Sequence, residues 1–242
     1  MNILTFDSDD KLNEAGAGII TGIVQTNKRS ILGLATGGTP VGIYKHIVND
    51  FKRGMFSFKN VTSFNLDEYI GLPASHPESY HSYMHHHLFS HIDIPLSQAH
   101  LPNGNAADPL AETVRYDELI ENSGQFDLQL LGLGHNGHIG FNEPAHALIR
   151  GTHVVDLAEE TRQANARFFG SIDEVPKQAI TIGIGTILKA KMILLVVKGA
   201  DKAEIVQRAL QGPITTDCPA SLLQTHPHLV VLLDRSAAEK LS

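Results

Sequence analysis

One cysteine, no tryptophan and only 6% aromatic residues are spread over the 242 positions. Cys218 alone cannot close an intrachain disulfide. That argues against a disulfide-stapled secreted scaffold and makes a reducing cytoplasm the expected setting. Cations are also scarce: 19 Lys and Arg stand against 26 Asp and Glu, a net charge of -7. With no surplus of positive charge to neutralise a phosphate backbone, a nucleic-acid surface is not expected. A small anion needs only a local pocket of donors and stays open as a ligand. Long apolar runs are missing too. The longest, Met192 to Val197, suits a buried strand but cannot span a bilayer, so no membrane partner is expected. Asp7, Asp9 and Asp10 stand where a secretory leader would carry a basic start and an apolar stretch.

The chain does hold enough apolar material for a sizeable core, at 42% hydrophobic and 19% charged residues. Its length suits one large domain over residues 1–242. Short β-type runs alternate with longer amphipathic ones. The expected strands are Asn2–Phe6, Ser30–Ala35, Val61–Asn65, Leu128–Gly132, Lys191–Val197 and Leu229–Leu233. The expected helices are Asp9–Gln25, Pro40–Lys52, Glu78–His91, Pro109–Ser123, Glu159–Phe169 and Lys202–Gln211. Nearly continuous apolar strands indicate a sheet covered on both faces. The alternation therefore predicts a doubly wound, mainly parallel, Rossmann-like α/β fold. The stretch of about 145–180 fits the alternation least well, and is expected to be an excursion near the active site that acts as a lid. In such folds ligands bind where strands end and helices begin.

Four of those junctions carry chemistry. Thr36, Gly37, Gly38 and Thr39 follow a strand and precede Pro40, which suits the start of a helix. Backbone N–H groups and the positive helix end make such a loop an anion site, although an ordinary glycine turn has the same local look. Asp67 and Glu68 end another strand; two adjacent carboxylates in a dry cleft raise each other's pKa toward the range of a general base. A solvated acidic loop is the plainer alternative. The run His135-Asn136-Gly137-His138-Ile-Gly-Phe-Asn-Glu143-Pro packs proton-transfer groups into a glycine-rich turn. No cysteine and no helical His spacing accompanies it, so a metal site is not expected there. Arg162, Arg167 and Lys202 are surface cations by default, but in an acidic protein with an anion loop they are natural phosphate clamps. His81 and His85 share a helical face, yet no Glu between them provides the general base of a zinc protease. That His-rich helix is expected to line or cover the pocket.

The four segments Ala-Thr-Gly-Gly-Thr-Pro, Phe-Asn-Leu-Asp-Glu-Tyr, His-Pro-Glu-Ser-Tyr and Gly-His-Ile-Gly-Phe-Asn-Glu-Pro, in this order, resemble the glucosamine-6-phosphate deaminase family over nearly the full length. The resemblance implies an amino-sugar phosphate substrate and no metal or organic cofactor. It puts the phosphate on Thr36, Gly37, Gly38 and Thr39, with Arg167 and Lys202 closing around it. It makes His138 the group that opens the sugar ring, with Glu143 orienting it, and Asp67 the base that moves the C2 proton to C1. Asn136 stands where one branch of the family has Asp; an amide accepts no proton, so it can only orient His138 or the substrate. The allosteric branch builds a second sugar-phosphate site from basic and hydroxyl residues and a longer C-terminal tail. The matching positions here are His146, His153, Val155 and Asp156, and the chain ends at Ser242. The resemblance is thus to the shorter branch, and activation by N-acetylglucosamine-6-phosphate is not expected.

Three other readings stay beside this one. A 6-phosphogluconolactonase shares the fold, but its Gly-His element continues differently from Gly140-Phe-Asn-Glu-Pro. Galactosamine-6-phosphate differs by one epimeric hydroxyl that leaves no trace in these motifs. A sugar-phosphate sensor would need a DNA-binding segment before Asn2–Phe6. The sequence leaves open whether the chain is a monomer or a homo-oligomer.

Overall fold

The computed structural model describes residues 1–241. Seven strands make the main sheet: β1 (Asn2–Phe6), β2 (Ile31–Leu34), β3 (Thr62–Asn65), β5 (Ala99–His100), β6 (Leu128–Leu131), β9 (Ile193–Val197) and β10 (Leu229–Asp234). Their order is β1-β10-β9-β6-β2-β3-β5, and every pair is parallel. The all-aliphatic β9 is buried along its whole length, as a strand covered on both faces requires. Truncating one such side chain to Ala typically costs about 2–5 kcal/mol through lost transfer energy and a cavity.

The helices are α1 (Asp9–Thr26), α2 (Val41–Lys52), α3 (Tyr80–His87), α4 (Pro109–Ser123), α5 (Glu159–Phe169), α6 (Ile184–Leu188) and α7 (Ala203–Gln211). The caps explain their starts: Ser8 accepts from the N–H of Lys11, and Asp108 from those of Leu110 and Ala111. Crossovers from β1 to β2 and from β2 to β3 run toward β5, whereas those from β5 to β6 and from β9 to β10 run toward β1. Right-handed connections therefore put α1 and α2 on one face and α4 and α7 on the other. The direction reverses between β2 and β6, which opens a crevice at their C-terminal ends.

A second sheet was not expected from the sequence. It is antiparallel and ordered β4-β8-β7, from β4 (Asp67–Tyr69), β8 (Gln178–Thr181) and β7 (His153–Asp156). The chain changes sheets at Leu66. The Leu66 N–H donates to Leu34 O at 3.2 Å in the main sheet, and its carbonyl accepts from the Ile182 N–H at 2.8 Å in the small one. Asp67 is thus the first residue beyond the junction, with backbone pinned on both sides. The 145–180 stretch supplies two of the three small strands and α5. Beneath it lies a separate apolar cluster that includes Tyr69, Phe141, Leu157, Phe169 and Val175. The expected helix Glu78–His91 is shorter than its pattern suggested. It ends at His87 because Leu88 leaves helical geometry at φ -141°, ψ -62°, and a single 3-10 turn follows.

Candidate active site

A cleft of about 420 Å³ opens at the crevice between the ends of β2 and β6. One end is the loop Ala35–Thr39 between β2 and α2. Buried Tyr44 donates its hydroxyl to Ala35 O at 2.6 Å, and Tyr83 donates to Gly37 O at 2.6 Å. These bonds hold the loop carbonyls toward the helices. Gly37 has φ +91°, which an L side chain rarely adopts, and a β-carbon at Gly37 or Gly38 would meet nothing within 4 Å. The space above the glycines is cleft rather than packing.

Lys202 and Arg167 line the same cleft. The Lys202 ammonium donates to Leu133 O at 2.8 Å. Burial lowers its pKa to about 8; the Arg167 cation adds to the shift and Asp201 opposes it. Arg167 is exposed, its guanidinium carbon 4.8 Å from the Phe168 ring centroid. The expected partner Arg162 does something else. It lies five residues earlier on α5 and donates to the carbonyls of Ile172 (2.8 Å) and Val175 (3.3 Å), tying the helix to the segment that follows. It is absent from the cleft wall, which corrects the clamp role considered for it.

Asp67, also in the cleft wall, is only 6% exposed. Burial first, and the Glu68 charge second, push its carboxyl well above the usual carboxylate range. Successive strand residues point to opposite faces, so Asp67 enters the cleft wall and Glu68 turns away from it. The two carboxylates therefore do not share the cleft. A β-carbon on Gly140 would stand 3.6 Å from Asp67 Oδ2, which puts the base candidate against the His135–Glu143 loop.

That loop holds a closed hydrogen-bond cycle. Asn136 Oδ1 accepts from the His138 N–H (3.1 Å) and lies 2.8 Å from His138 Nδ1, while its Nδ2 donates to Glu143 Oε2 at 2.7 Å. Glu143 Oε2 is 3.3 Å from His138 Nδ1, and Oε1 accepts from Thr161 Oγ1 at 2.5 Å. Burial alone would raise the Glu143 pKa, but bonds from His138, Thr161 and Asn136 outweigh it and bring the net shift below the ordinary value. With the Asn136 oxygen facing Nδ1, the proton sits on Nδ1 and Nε2 is the acceptor of a ring that lines the cleft. Gly134 makes this possible: a β-carbon there would lie 2.3–2.4 Å from three ring atoms of His138.

Several cleft residues were not singled out from the sequence. Tyr80 stands in a quoted motif, but its position in the wall depends on α3. Thr161 and Asn165 come from α5, and only folding brings them in. The His-rich helix touches the cleft through Tyr80; His81, His85, His86 and His87 are outside the wall. Among the described residues no group of three or more His, Cys, Asp or Glu is placed to hold a metal ion. Among the described residues, too, no helix is long and apolar enough to cross a membrane.

Residues 8–231 match the family described as glucosamine-6-phosphate isomerases/6-phosphogluconolactonase. A glucosamine-6-phosphate deaminase of Geobacillus sp. (strain WCH70) is 52% identical over 237 residues, which is 98% of this chain and 94% of the relative. Another, from Bacillus velezensis, is 51% identical over 98% of this chain and 99% of its own. A solved structure of a monomeric glucosamine-6-phosphate deaminase superposes with a TM-score of 0.97 at 48% identity, over 99% of both chains. The 6-phosphogluconolactonase of Leishmania guyanensis, at 18% identity and a TM-score of 0.81 over 100% of this chain and 98% of its own, shares the fold alone. Fold and sequence agree over almost the whole length, and this chain belongs to the glucosamine-6-phosphate isomerase/6-phosphogluconolactonase family.

Proposed function

We propose that this chain converts α-D-glucosamine 6-phosphate and water into D-fructose 6-phosphate and ammonia. The observation that carries the reading is Asp67, a buried carboxyl of raised pKa in the same cleft as a glycine loop and two cations. A base that must take a carbon-bound proton near neutral pH needs that elevation. The phosphate lies on Thr36, Gly37, Gly38 and Thr39 and is met by Arg167 and Lys202. His138 Nε2 takes the proton of the C1 hydroxyl and returns one to the ring oxygen, which opens the pyranose. Glu143 stabilises the imidazolium formed between those transfers, and Asn136 keeps Nδ1 protonated and turned inward.

Asp67 then removes the C2 proton of the open-chain aldose, giving an enolamine, and delivers it to C1. The nitrogen on C2 becomes an imine. Water adds to C2, the carbinolamine collapses, the C–N bond breaks and ammonia leaves behind a ketone at C2. Every step is a proton transfer or an addition that positioned acids and bases can serve. The 145–180 stretch, which carries α5 with Thr161 and Arg167, is the part that closes over bound substrate in this reading.

The test is an assay for both products from glucosamine-6-phosphate with a metal chelator present. Equal amounts of fructose-6-phosphate and ammonia are expected. Turnover of only galactosamine-6-phosphate or 6-phosphogluconolactone, or binding without turnover, overturns the reading. Lys202 adds a pH signature. It is cationic below its pKa of about 8 and neutral above it, so kcat/KM is expected to fall as pH rises through that value. In Lys202→Met that basic limb should vanish and KM should rise about 30-fold or more, the cost of removing one partner of a buried charge pair. An unchanged limb in the variant would assign it to another group.

A further inference from the structure

The buried carboxylate of Glu68 has no place in the reaction as written, yet it is 1% exposed and directly follows the base. Both of its oxygens are used. Oε1 accepts from the N–H groups of Tyr69 (2.9 Å) and Tyr80 (3.0 Å). Oε2 accepts from the His81 N–H (3.0 Å) and lies 2.8 Å from His81 Nδ1. Tyr80 and His81 open α3, so their N–H groups are among those with no acceptor inside the helix. A carboxylate there also meets the positive end of the helix. Ser79 caps the next turn by accepting from the Ser82 N–H, so the α3 entry is held by two side chains.

The consequence reaches the cleft through Tyr80. Its ring lines the wall beside Asp67, lies nearly parallel to Phe141 with centroids 6.2 Å apart, and its phenol interacts with Thr36 of the anion loop and with Tyr69. Shortening or removing the Glu68 anchor frees the first residue of α3, and with it the wall that meets both Asp67 and the anion loop.

We infer that Glu68 is a positioning residue for the reaction: it fixes the Tyr80 wall of the cleft and sets a second carboxylate behind Asp67. The inference rests on the reading of Asp67 as the base. The groups that face Glu68 are few. Asp67 is on its own strand, His81 comes from α3, and Gly104 closes the fourth side, with its ideal β-carbon position 3.1 Å from Glu68 Cγ. Glu112 of α4 also faces His81 and is itself bridged by Arg115 at 2.6 Å, so that outer pair is internally compensated. The Tyr69 phenol of the same strand and the Asp67 carboxyl both feel the Glu68 charge, which is the second cause, after burial, of the raised Asp67 pKa.

The two roles separate in two variants. Glu68→Gln removes the charge and keeps one acceptor oxygen. The acid limb of kcat/KM, which reports the base, should move to lower pH by roughly one unit, and kcat should fall about tenfold as the base weakens. Glu68→Asp keeps the charge but shortens the reach to α3. Its acid limb should stay at the wild-type pH while KM rises about fivefold or more. Asp67→Asn is run in parallel. If that variant still turns over, the reading of Asp67 as base has failed; if it is inactive and the Glu68→Gln limb has not moved, the inference about Glu68 has failed. An Asp variant with a shifted limb and unchanged KM also overturns it, and this arm stands even if Glu68→Gln does not fold. Circular dichroism and thermal midpoints give the folded fraction; activity that only tracks that fraction counts against the inference.

Discussion

Asp67→Asn is expected to lower kcat by about 10³-fold or more while leaving KM within a few-fold of wild type and making the protein more stable at neutral pH. The first effect is, on the proposed mechanism, the loss of a general base, ordinarily about 10²–10⁴-fold. The second follows because Asn keeps the size and polarity of the side chain that lines the cleft. The third comes from linkage. The folded pKa of Asp67 is raised, so folding favours its protonated form. The protonated carboxyl's contribution is fully present below the ordinary Asp range and is lost as pH rises through the folded value. At neutral pH the wild type holds a carboxyl whose ionised form is disfavoured by burial, and the amide removes that term. The stability gap should close as pH falls. Urea denaturation of both proteins across the acid range reads it directly. A variant that is inactive and also less stable at neutral pH would mean that Asp67 is a structural hydrogen-bonding group rather than a strained base.

Glu143→Gln is expected to cut kcat by about 10²-fold with little change in fold. Gln is nearly isosteric, and the network can absorb it. The amide oxygen can face Asn136 Nδ2 and His138 Nδ1, while the amide nitrogen donates to Thr161, whose hydroxyl rotates to accept. What disappears, on the proposed mechanism, is the negative charge that stabilises the His138 imidazolium during ring opening. The pH dependence of stability runs opposite to that of Asp67. The folded pKa of Glu143 is lowered, so its contribution is present above the ordinary Glu range and is lost as pH falls through the folded value. The variant should lack that acid-side loss. Presenting substrate already in open-chain form, as a non-cyclising analogue, should restore much of the lost rate. Equal loss on cyclic and open-chain substrates would place Glu143 in the deamination steps instead.

The elements with strong periodicity were legible before folding. β1, α4 and α5 have the boundaries their patterns predict, because apolar spacing, an Asp cap and a first-turn Pro are local signals. β4, β7 and β8 were not legible. Each is three or four residues long, and Asp-Glu-Tyr or His-Val-Val-Asp has too little alternation to declare a strand. They are strands because they pair with one another across a large separation in the chain. Long-range pairing of that kind leaves no period to read.

The same division runs through the site. The sequence by itself determined which loops meet at the cleft: glycines, a proline, carboxylates and histidines cluster at strand ends, and a parallel α/β sheet presents those ends together. Residue types and spacing could not determine which of two adjacent carboxylates enters the cleft; only the family resemblance singled out Asp67. Asp67 and Glu68 point to opposite faces of β4, and the sheet that decides which face is inside is built from residues over a hundred positions later. Nor could spacing separate Arg167, which the resemblance favoured, from Arg162: they lie on one helix and part only in where that helix docks. Glu143 receives its shortest hydrogen bond from Thr161, a residue of α5. These are through-space facts. Charge, burial and hydrogen-bond geometry depend on neighbours from other elements, and those neighbours exist only after the two sheets have packed.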